Sequence, residues 1–273
     1  MNRELPTYQA IRVISAKKLG SSRPVLLETD AGYFLTKLRG AAQGTSALVA
    51  EIIVAALAET LGLWVPCQAL ISIDAAIPSE DREDEFLELL TASSGISLGL
   101  QYLHGARDIG RDDIEAIDED LACQVLWLDS LVMNVDRTIN NPNLMRCQDK
   151  VWLIDHGAAL PFQYDWAGVV EDSPRKAKYA MNRHIFWNKA PALDIWDDKL
   201  AGELSANVLQ DAISRVPDCF LQPLLSSASS VEQIERRRQA YAAFLWKRLK
   251  PPRPFMHLWL ANNAHAHRPQ RVH

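Results

Sequence analysis

The feature that most constrains the fold is an abrupt change of pattern in the middle of the chain. A helical apolar pattern over residues 125–133 leads straight into an asparagine-rich segment, residues 134–143, that contains a proline. Asparagine competes for hydrogen bonds with its own backbone and proline has no N–H to donate, so this segment must end the helix. Two short apolar runs follow, 144–145 and 151–154, with polar residues between them. This order predicts a β-hairpin that turns about Asp149.

The predicted hairpin brings together side chains that carry oxygen atoms. A turn at this position places Asn143 opposite Asp155. Asn141 is two residues from that pair, roughly 7 Å along a strand, and Asp136 stands at the mouth of the same loop. Carboxylate and amide oxygens suit Mg²⁺, which usually binds through one or two carboxylates plus substrate phosphates. The sequence therefore predicts that Asp136, Asn141 and Asp155 converge at a magnesium site.

The spacing Asp-x4-Asn, followed by a strand that ends in Asp, is the arrangement that kinases use for phosphoryl transfer. In that arrangement Asp136 accepts the proton of the attacking hydroxyl, while Asn141 and Asp155 hold metal on the phosphates. An ordinary asparagine-rich turn before a hairpin is the alternative, because short motifs also occur by chance. The combination with Ile-Asp-His-Gly at residues 154–157 favours the kinase interpretation, since it supplies the structural context that the motif requires.

A lysine and a glutamate upstream supply a second part of the same arrangement. Lys37 lies in a predicted strand, residues 33–38, and Glu51 lies in a predicted helix, residues 47–61. Glu51 follows Leu48 by three residues and so points toward the apolar stripe of the helix, where an unpaired charge is costly. Kinases use such a pair to fix the lysine on the α/β phosphates, and Lys37 is the candidate partner here. The alternative is that both residues are ordinary surface charges.

Two further stretches are candidates for contacts with a nucleotide. The loop over residues 17–23 joins two predicted strands and contains Ser21 and Ser22, whose backbone N–H groups could cover phosphates. It matches neither a Gly-x-Gly-x-x-Gly nor a Walker pattern, and a plain surface turn is the alternative. The last strand of this region ends near Tyr102 and Leu103, ahead of a hinge-like His-Gly pair. We expect an adenine ring to bond to backbone groups near these two residues.

Composition excludes several other classes of protein. The chain has 273 residues, 48% of them hydrophobic and 23% charged, which is enough for one large domain or two lobes. A net charge of −5 gives no basic footprint for nucleic acid, so no direct nucleic-acid partner is expected. The four cysteines show no Cys-x-x-Cys spacing, as in a reducing compartment. With no apolar signal core and no long apolar run, the sequence predicts a cytoplasmic protein without a membrane span.

Taken together, these motifs resemble the HipA-like kinase family of bacteria. The resemblance is carried by Lys37, Leu48-Val49-Ala50-Glu51, Asn134-Val135-Asp136-Arg137-Thr138, Asn141-Pro142-Asn143 and Trp152-Leu153-Ile154-Asp155-His156-Gly157. The catalytic segment is also similar to that of phosphatidylinositol 4-kinases. The resemblance implies ATP and Mg²⁺ as cofactors. It also implies that Lys37 binds phosphates, Glu51 holds Lys37, Asp136 acts as the base, and Asn141 and Asp155 bind metal.

The expected fold class is α+β, with the two-lobed architecture of protein kinases. Residues 1–103 are expected to form an N-terminal lobe, an antiparallel sheet plus a helix that binds the nucleotide phosphates. Residues 104–273 are expected to form a mainly helical C-terminal lobe that carries the catalytic loop and the metal-binding hairpin.

The function expected on these grounds is an ATP-dependent phosphotransferase, a Ser/Thr protein kinase that can phosphorylate itself, with a phosphoacceptor that the sequence does not identify. Two residues depart from ordinary protein kinases, Asn134 in place of a His-Arg context and His156 in place of Phe. They motivate one alternative, a nucleotide-binding pseudokinase that acts as an interaction module. A kinase of small molecules or lipid headgroups is a second alternative, and a helical scaffold with an incidental turn is a third.

Overall fold

A computed structural model describes residues 4–16, 24–41, 43–176, 181–225 and 230–263. The first part of the chain is dominated by five strands and two helices. The strands are β1 (Thr7–Ala16), β2 (Val25–Thr29), β3 (Gly32–Lys37), β4 (Gln68–Ile73) and β5 (Gly95–Gln101), and the helices are α1 (Gly44–Thr60) and α2 (Asp84–Ala92). The order of elements matches the predicted strands and helix, with α1 beginning three residues earlier than the apolar pattern indicated.

The five strands close into a barrel in the order β1-β2-β3-β5-β4. Four of the pairings are antiparallel, but β1 and β4 pair in parallel, with Thr7 opposite Leu70 and Gln9 opposite Ser72. The expectation of a purely antiparallel sheet was therefore wrong. Sequence pattern gives the alternation along one strand, but not which distant strand will pair with it, so the parallel pair could not be foreseen.

The barrel interior has its own apolar core, while α1 belongs to a second and larger one. Side chains such as Val25, Leu27, Phe34 and Ile71 fill the barrel. Helix α1 is buried on all sides, not along one stripe, and it shares a core with the helices of the second half of the chain. A helix that is apolar all round must be enclosed by protein, and α1 packs against α5 and α6, introduced below.

The second part of the chain is mainly helical, with one small sheet. Its helices are α3 (Glu119–Val132), α4 (Leu193–Glu203), α5 (Ala206–Ser214), α6 (Asp218–Leu221), α7 (Val231–Leu249) and α8 (Pro254–Asn263), and its strands are β6 (Arg107–Asp108), β7 (Leu144–Cys147) and β8 (Lys150–Leu153). Short 3₁₀ turns lie at Arg111–Ala116, Pro161–Tyr164, Trp166–Gly168, Ser173–Arg175, Met181–Arg183 and Gln222–Leu224. Within the described ranges, none of the helices combines the length and the apolar character that crossing a membrane would require.

The predicted hairpin is confirmed, but its register differs by one residue from the prediction, so that Asn143 does not lie opposite Asp155. β7 and β8 pair antiparallel, with Leu144 opposite Leu153, and the turn consists of Gln148 and Asp149, which both have positive φ. Two successive residues with positive φ form the kind of turn whose twist matches that of the strands. β6 adds a third strand that the sequence did not reveal, because two residues carry too little pattern.

Helix α3 ends two residues before Asn134, the first of the asparagines that were expected to stop it. Val132 is its last residue, and Met133 adopts the left-handed conformation with φ 57°. The backbone N–H of Met133 and that of Asn134 both bond to the carbonyl of Asp129. This left-handed cap satisfies a carbonyl at the helix end and turns the chain sharply into the loop that holds Asp136.

Candidate active site

Strand β3, helix α1 and the end of β8 meet at Lys37. Its ammonium group contacts the carboxylate of Glu51 and lies 2.6 Å from Oδ1 of Asp155, which is 118 residues away in the chain. The side chains of Lys37 and Glu51 are buried, whereas that of Asp155 is 37% exposed. Asp155 is therefore the member of the cluster that a ligand can reach from solvent. The predicted pairing of Lys37 with Glu51 is present, and Asp155 joins it.

The charges in this cluster support one another. Burial by itself lowers the pKa of Lys37, but the attraction of Glu51 and Asp155 outweighs it and raises that pKa, so Lys37 is charged. Burial would likewise raise the pKa of Asp155, but the ammonium of Lys37 lowers it and keeps the carboxylate ionised. For Glu51 burial dominates and raises the pKa, although Lys37 opposes it. Asp155, the most accessible carboxylate of the cluster, is therefore ionised and can bind a cation.

The turn that carries Asp155 fits closely against α1. Asp155 has the left-handed conformation, with φ 56°, which aspartate tolerates better than most residues. A Cβ atom added to Gly157 would lie 3.2 Å from the Cβ of Ala47 and 3.5 Å from Oε1 of Glu51. Even alanine at Gly157 would require a shift of a few tenths of an ångström between the turn and α1, and a larger side chain would require more.

The loop that follows α3 holds Asp136 by hydrogen bonds from its own asparagines. Oδ2 of Asp136 accepts from Nδ2 of Asn141 at 2.9 Å and from Nδ2 of Asn143 at 3.3 Å. The backbone N–H of Asp136 donates to Oδ1 of Asn134 at 3.2 Å. Asp136 is half-buried and Asn141 is exposed. The loop thus orients the Asp136 carboxylate through one oxygen atom and presents Asn141 to solvent.

A buried ion pair between Asp129 and Arg137 supports this loop. Asp129, on α3, accepts from Nδ2 of Asn134 at 3.0 Å and from Nε of Arg137 at 2.5 Å. Asp129 therefore holds two residues of the loop, one on each side of Asp136. Asn134 takes the position that a histidine fills in ordinary protein kinases, and its amide bonds to both Asp129 and the Asp136 backbone.

Arg137 was part of the motif that carries the resemblance but was given no role from the sequence, yet it connects the two halves of the site. Its guanidinium donates to the carbonyl of Asn143 and also contacts Nδ1 of His156 at 3.3 Å. The first contact lies beside the Asp136 loop and the second beside Asp155. The signal that could have identified it is its place directly after Asp136, where a long cation can reach back under the loop.

His156 is buried in a position that keeps its ring uncharged. Burial and the neighbouring Arg137 lower the pKa of His156 to about 3. Because Nδ1 faces the guanidinium of Arg137, which can only donate, the ring proton belongs on Nε2. The His156 ring therefore acts as an acceptor toward Arg137, a role that the phenylalanine of ordinary protein kinases could not fill.

This burial predicts a loss of stability in mild acid. The pKa of His156 is lowered in the folded state, so the unfolded chain takes up its proton first, near pH 6.5. The resulting stabilisation is complete above pH 6.5 and declines as the pH falls toward 3. We expect His156 alone to lower the free energy of unfolding by about 2 kcal/mol between pH 7 and pH 5, and His184, whose pKa burial also lowers, adds to this loss. Urea unfolding at pH 7, 6 and 5 measures it.

The control for this prediction is the His156→Gln variant, whose amide oxygen can still accept from Arg137. We expect its free energy of unfolding to change less between pH 7 and pH 5 than that of the wild type. The carboxylates with lowered pKa values titrate below this window. If the free energy of unfolding falls equally with pH in the two proteins, the assignment of the effect to His156 is contradicted.

The structure describes only some of the residues that were predicted to contact a nucleotide. Ser21 and Ser22 lie outside the described residues. The backbone N–H of Tyr102 donates to the carbonyl of Tyr33 at 3.0 Å, so any bond from this segment to an adenine ring would use other backbone groups near Tyr102 and Leu103. Leu103 is half-buried, and its carbonyl accepts from Ala106 at 3.2 Å.

A cavity of about 420 Å³ adjoins Tyr102 on the outer face of the barrel. The rings of Tyr33 and Tyr102 both meet His104 edge-on, with centroid distances of 6.1 and 4.9 Å. The full lining consists of Arg12, Val13, Ile14, Leu26, Tyr33, Glu80, Tyr102 and His104. Because side chains alternate along β3, Tyr33 lies on the same face of the strand as Lys37.

The candidate metal ligands fit a cation that is also held by its substrate. No group of three or more His, Cys, Asp or Glu side chains in the described part of the chain is arranged to hold a metal by itself. Asp155 and Asn141 offer one carboxylate and one amide oxygen, both reachable from solvent. That donor set suits Mg²⁺, which keeps several waters and shares its ligands with phosphates, and it does not suit zinc.

Comparison with known proteins gives two findings. A family model described as HipA-like kinase matches residues 10–222. Among solved structures, the Helicobacter pylori proinflammatory kinase CtkA is similar, with a TM-score of 0.54 and 11% sequence identity over 94% of this chain and 99% of that one. At this identity the likeness shows a shared fold. A comparison with curated protein sequences gives no match.

Proposed function

This chain belongs to the HipA-like kinase family, and on that premise we propose that it transfers the γ-phosphoryl group of Mg·ATP to a serine or threonine hydroxyl of a protein, its own chain included. The observation that carries the proposal is the Lys37 cluster. A buried lysine is held by a buried glutamate and touches a partly exposed carboxylate that the chain brings from 118 residues away. An ordinary structural ion pair has no need of the third, solvent-facing member.

We infer that the chain forms two lobes, residues 1–103 and 104–273, with the nucleotide between them. Support comes from the barrel core, which is separate from the larger helical core. Helix α1 bridges the two, since it supplies Glu51 to the barrel strand β3 and packs against α5 and α6. A helix in that position can adjust the cluster when the lobes move relative to one another.

The nucleotide is proposed to run along the outer face of β3. The cavity beside Tyr33 and Tyr102 would take the base, with backbone groups near Leu103 at its edge. Lys37 lies four residues beyond Tyr33 on the same strand face, roughly 13 Å away. This separation is of the order of the length of an extended nucleoside triphosphate, so Lys37 would meet the phosphates. The loop that contains Ser21 and Ser22 is proposed to cover them.

Each polar group at the phosphate end has a proposed task. Mg²⁺, held by Asp155 and Asn141, would offset the charge on the phosphates. The ammonium of Lys37 would turn from Asp155 toward the phosphate oxygens while Glu51 keeps it in place. Asp136 would accept the proton of the hydroxyl as that oxygen bonds to the γ-phosphorus. The bond from the γ-phosphorus to the bridging oxygen breaks in the same step, and ADP leaves.

Thermal unfolding in the presence of nucleotide tests the proposal. A ligand that binds only the folded state raises its stability, by about 2.7 kcal/mol at a hundred times its dissociation constant. We expect ATP with Mg²⁺ to raise the melting temperature by several degrees, and ATP with excess chelator to raise it clearly less, because Asp155 then repels the phosphates. An unchanged melting temperature at millimolar Mg·ATP would favour the helical-scaffold alternative.

Turnover then separates the remaining alternatives. Radiolabelled ATP should label the protein itself or a protein acceptor. Binding without any turnover would identify a pseudokinase, and transfer only to small alcohols or lipid headgroups would identify the other kinase class. The pseudokinase hypothesis depends on Asn134 and His156, and both residues make specific contacts that hold the loop and Arg137. Those contacts favour an active kinase over a pseudokinase.

A further inference from the structure

A segment far along the chain from the catalytic loop reaches the buried ion pair beneath it. Nε2 of His184 lies 3.0 Å from Oδ2 of Asp129, the same oxygen atom that accepts from Arg137. The side chains of His184, Asp129 and Arg137 are all fully buried. Asp129 Oδ2 therefore binds two donors that come from different parts of the chain.

The tautomer of His184 follows from its second contact. Its Nδ1 accepts from the backbone N–H of Phe186 at 3.1 Å, so Nδ1 carries a lone pair and Nε2 carries the proton. His184 is thus a neutral donor to Asp129. Burial lowers its pKa, while Asp129 opposes that effect, and the net direction favours the neutral ring.

The backbone around His184 lies directly along the catalytic loop. The N–H of Ile185 donates to the carbonyl of Arg137 at 3.1 Å, and His184 pairs with Thr138 in an isolated antiparallel bridge. Thr138 is two residues from Asp136. The segment from Met181 onward is therefore attached to the loop both through its backbone and through the His184 ring.

Arg137 contacts both halves of the site and so links each of them to Asp129 and His184. Its guanidinium contacts the carbonyls of Pro142 and Asn143, at the end of the Asp136 loop, and the ring of His156, next to Asp155. One planar group therefore fixes the distance between the loop with the proposed base and the turn with the proposed metal ligand. Its orientation depends on Asp129.

We propose that His184 is a positioning residue for phosphoryl transfer. It holds Asp129, and Asp129 in turn orients Arg137. Arg137 then keeps the Asp136 loop and the Asp155 turn at a fixed distance from each other. The inference rests on the proposed kinase function. His184 is too deeply buried to contact substrate, so it acts on the rate through these groups. A misplacement of 1 Å at reacting atoms can cost about 100-fold in rate.

A pair of variants tests this role. His184→Leu removes the donor to Asp129 at similar volume, whereas His184→Gln places an amide N–H near the position of Nε2. We expect His184→Leu to lower kcat by about 10- to 100-fold with less than about a threefold change in KM for ATP. His184→Gln should recover most of the lost kcat. A wild-type kcat in folded His184→Leu, or equal losses in the two variants, would overturn the proposal.

If His184→Leu does not fold, His184→Asn replaces it, because its amide reaches only to the position of Nδ1. His184→Gln should then be clearly more active than His184→Asn, and the reverse order would contradict the proposal. Hydrogen exchange of the Ile185 and Thr138 amides gives a readout that needs no turnover. We expect faster exchange in His184→Leu or His184→Asn and unchanged exchange in the barrel strands.

Turnover tests the proposed function, whereas hydrogen exchange tests the role of His184, so the two can fail separately. If the wild type binds Mg·ATP without turnover, the proposed function fails. The attachment of the loop through His184 is then still judged by hydrogen exchange, and unchanged exchange in the variants would refute it.

Discussion

Asp155→Asn should abolish phosphoryl transfer while leaving the protein folded. The substitution keeps the shape of the side chain but removes the charge that would bind Mg²⁺ and that attracts Lys37. Removing one group that stabilises charge in the transition state costs about 10²–10³-fold in rate, and here the metal site and the lysine are both affected. We therefore expect kcat to fall by about 1,000-fold or more, measured as transfer from radiolabelled ATP.

Asp149→Asn is the matched control for this variant. Asp149 lies six residues earlier in the same hairpin, is exposed, and also has positive φ, at 61°. Asparagine tolerates that conformation, so the turn should be preserved. We expect Asp149→Asn to retain the activity of the wild type. Asp155→Asn with undiminished transfer, or equal losses in the two variants, would contradict the role given to Asp155.

Lys37→Met should reduce both stability and activity, by separable mechanisms. It leaves the buried Glu51 without its cation, and removal of one partner from a buried pair costs about 3–5 kcal/mol. Phosphate binding is lost independently of this effect. We expect Lys37→Met/Glu51→Gln to recover most of the stability without recovering activity. Urea unfolding and radiolabel transfer, measured on both variants, check the two parts.

The pH dependence of Lys37→Met has a definite sign. Burial raises the pKa of Glu51, and loss of Lys37 raises it further, because the lysine was the group that opposed the shift. A carboxyl group with a raised pKa in the folded state is best accommodated when protonated, so the destabilisation should be smaller at pH 5 than at pH 7. Lys199→Met, at an exposed lysine whose ammonium lies 3.9 Å from the centroid of the Trp196 ring, is the control; it should leave activity unchanged and lower stability by no more than about 1 kcal/mol. Full activity of the double variant would contradict the role of Lys37.

Local chemistry made the centre of the site predictable. The hairpin about Asp149 follows from two apolar runs and a polar turn. The pairing of Lys37 with Glu51 follows from the cost of a carboxylate on an apolar helix face. The predicted register was wrong by one residue, because the two-residue turn places Asn143 opposite Ile154, whose backbone N–H donates to the Asn143 carbonyl at 3.1 Å, and not opposite Asp155. Such inferences succeed because the interacting residues are close in sequence or because burial leaves few partners.

The features that were missed depend on contacts between distant parts of the chain. The parallel pairing of β1 with β4 closes the barrel, yet neither strand carries a signal for its partner. Helix α1 was given one apolar stripe, because short alanine-rich faces do not reveal that they too are enclosed. The bond from His184 to Asp129 spans 55 residues, and a lone histidine in sequence gives no indication that its ring lies beneath the catalytic loop.

A crystal structure with Mg²⁺ and a non-hydrolysable ATP analogue tests the central claim most directly, because it asks whether one ligand joins the Lys37 cluster to the Asp136 loop. We expect Lys37 to move from Asp155 to the phosphates while it keeps its contact with Glu51. We also expect Asp155 and Asn141 to bind the metal, and Asp136 to face the γ-phosphorus. An analogue bound elsewhere, or bound with Lys37 still on Asp155 and with no metal on Asp155 and Asn141, would contradict it.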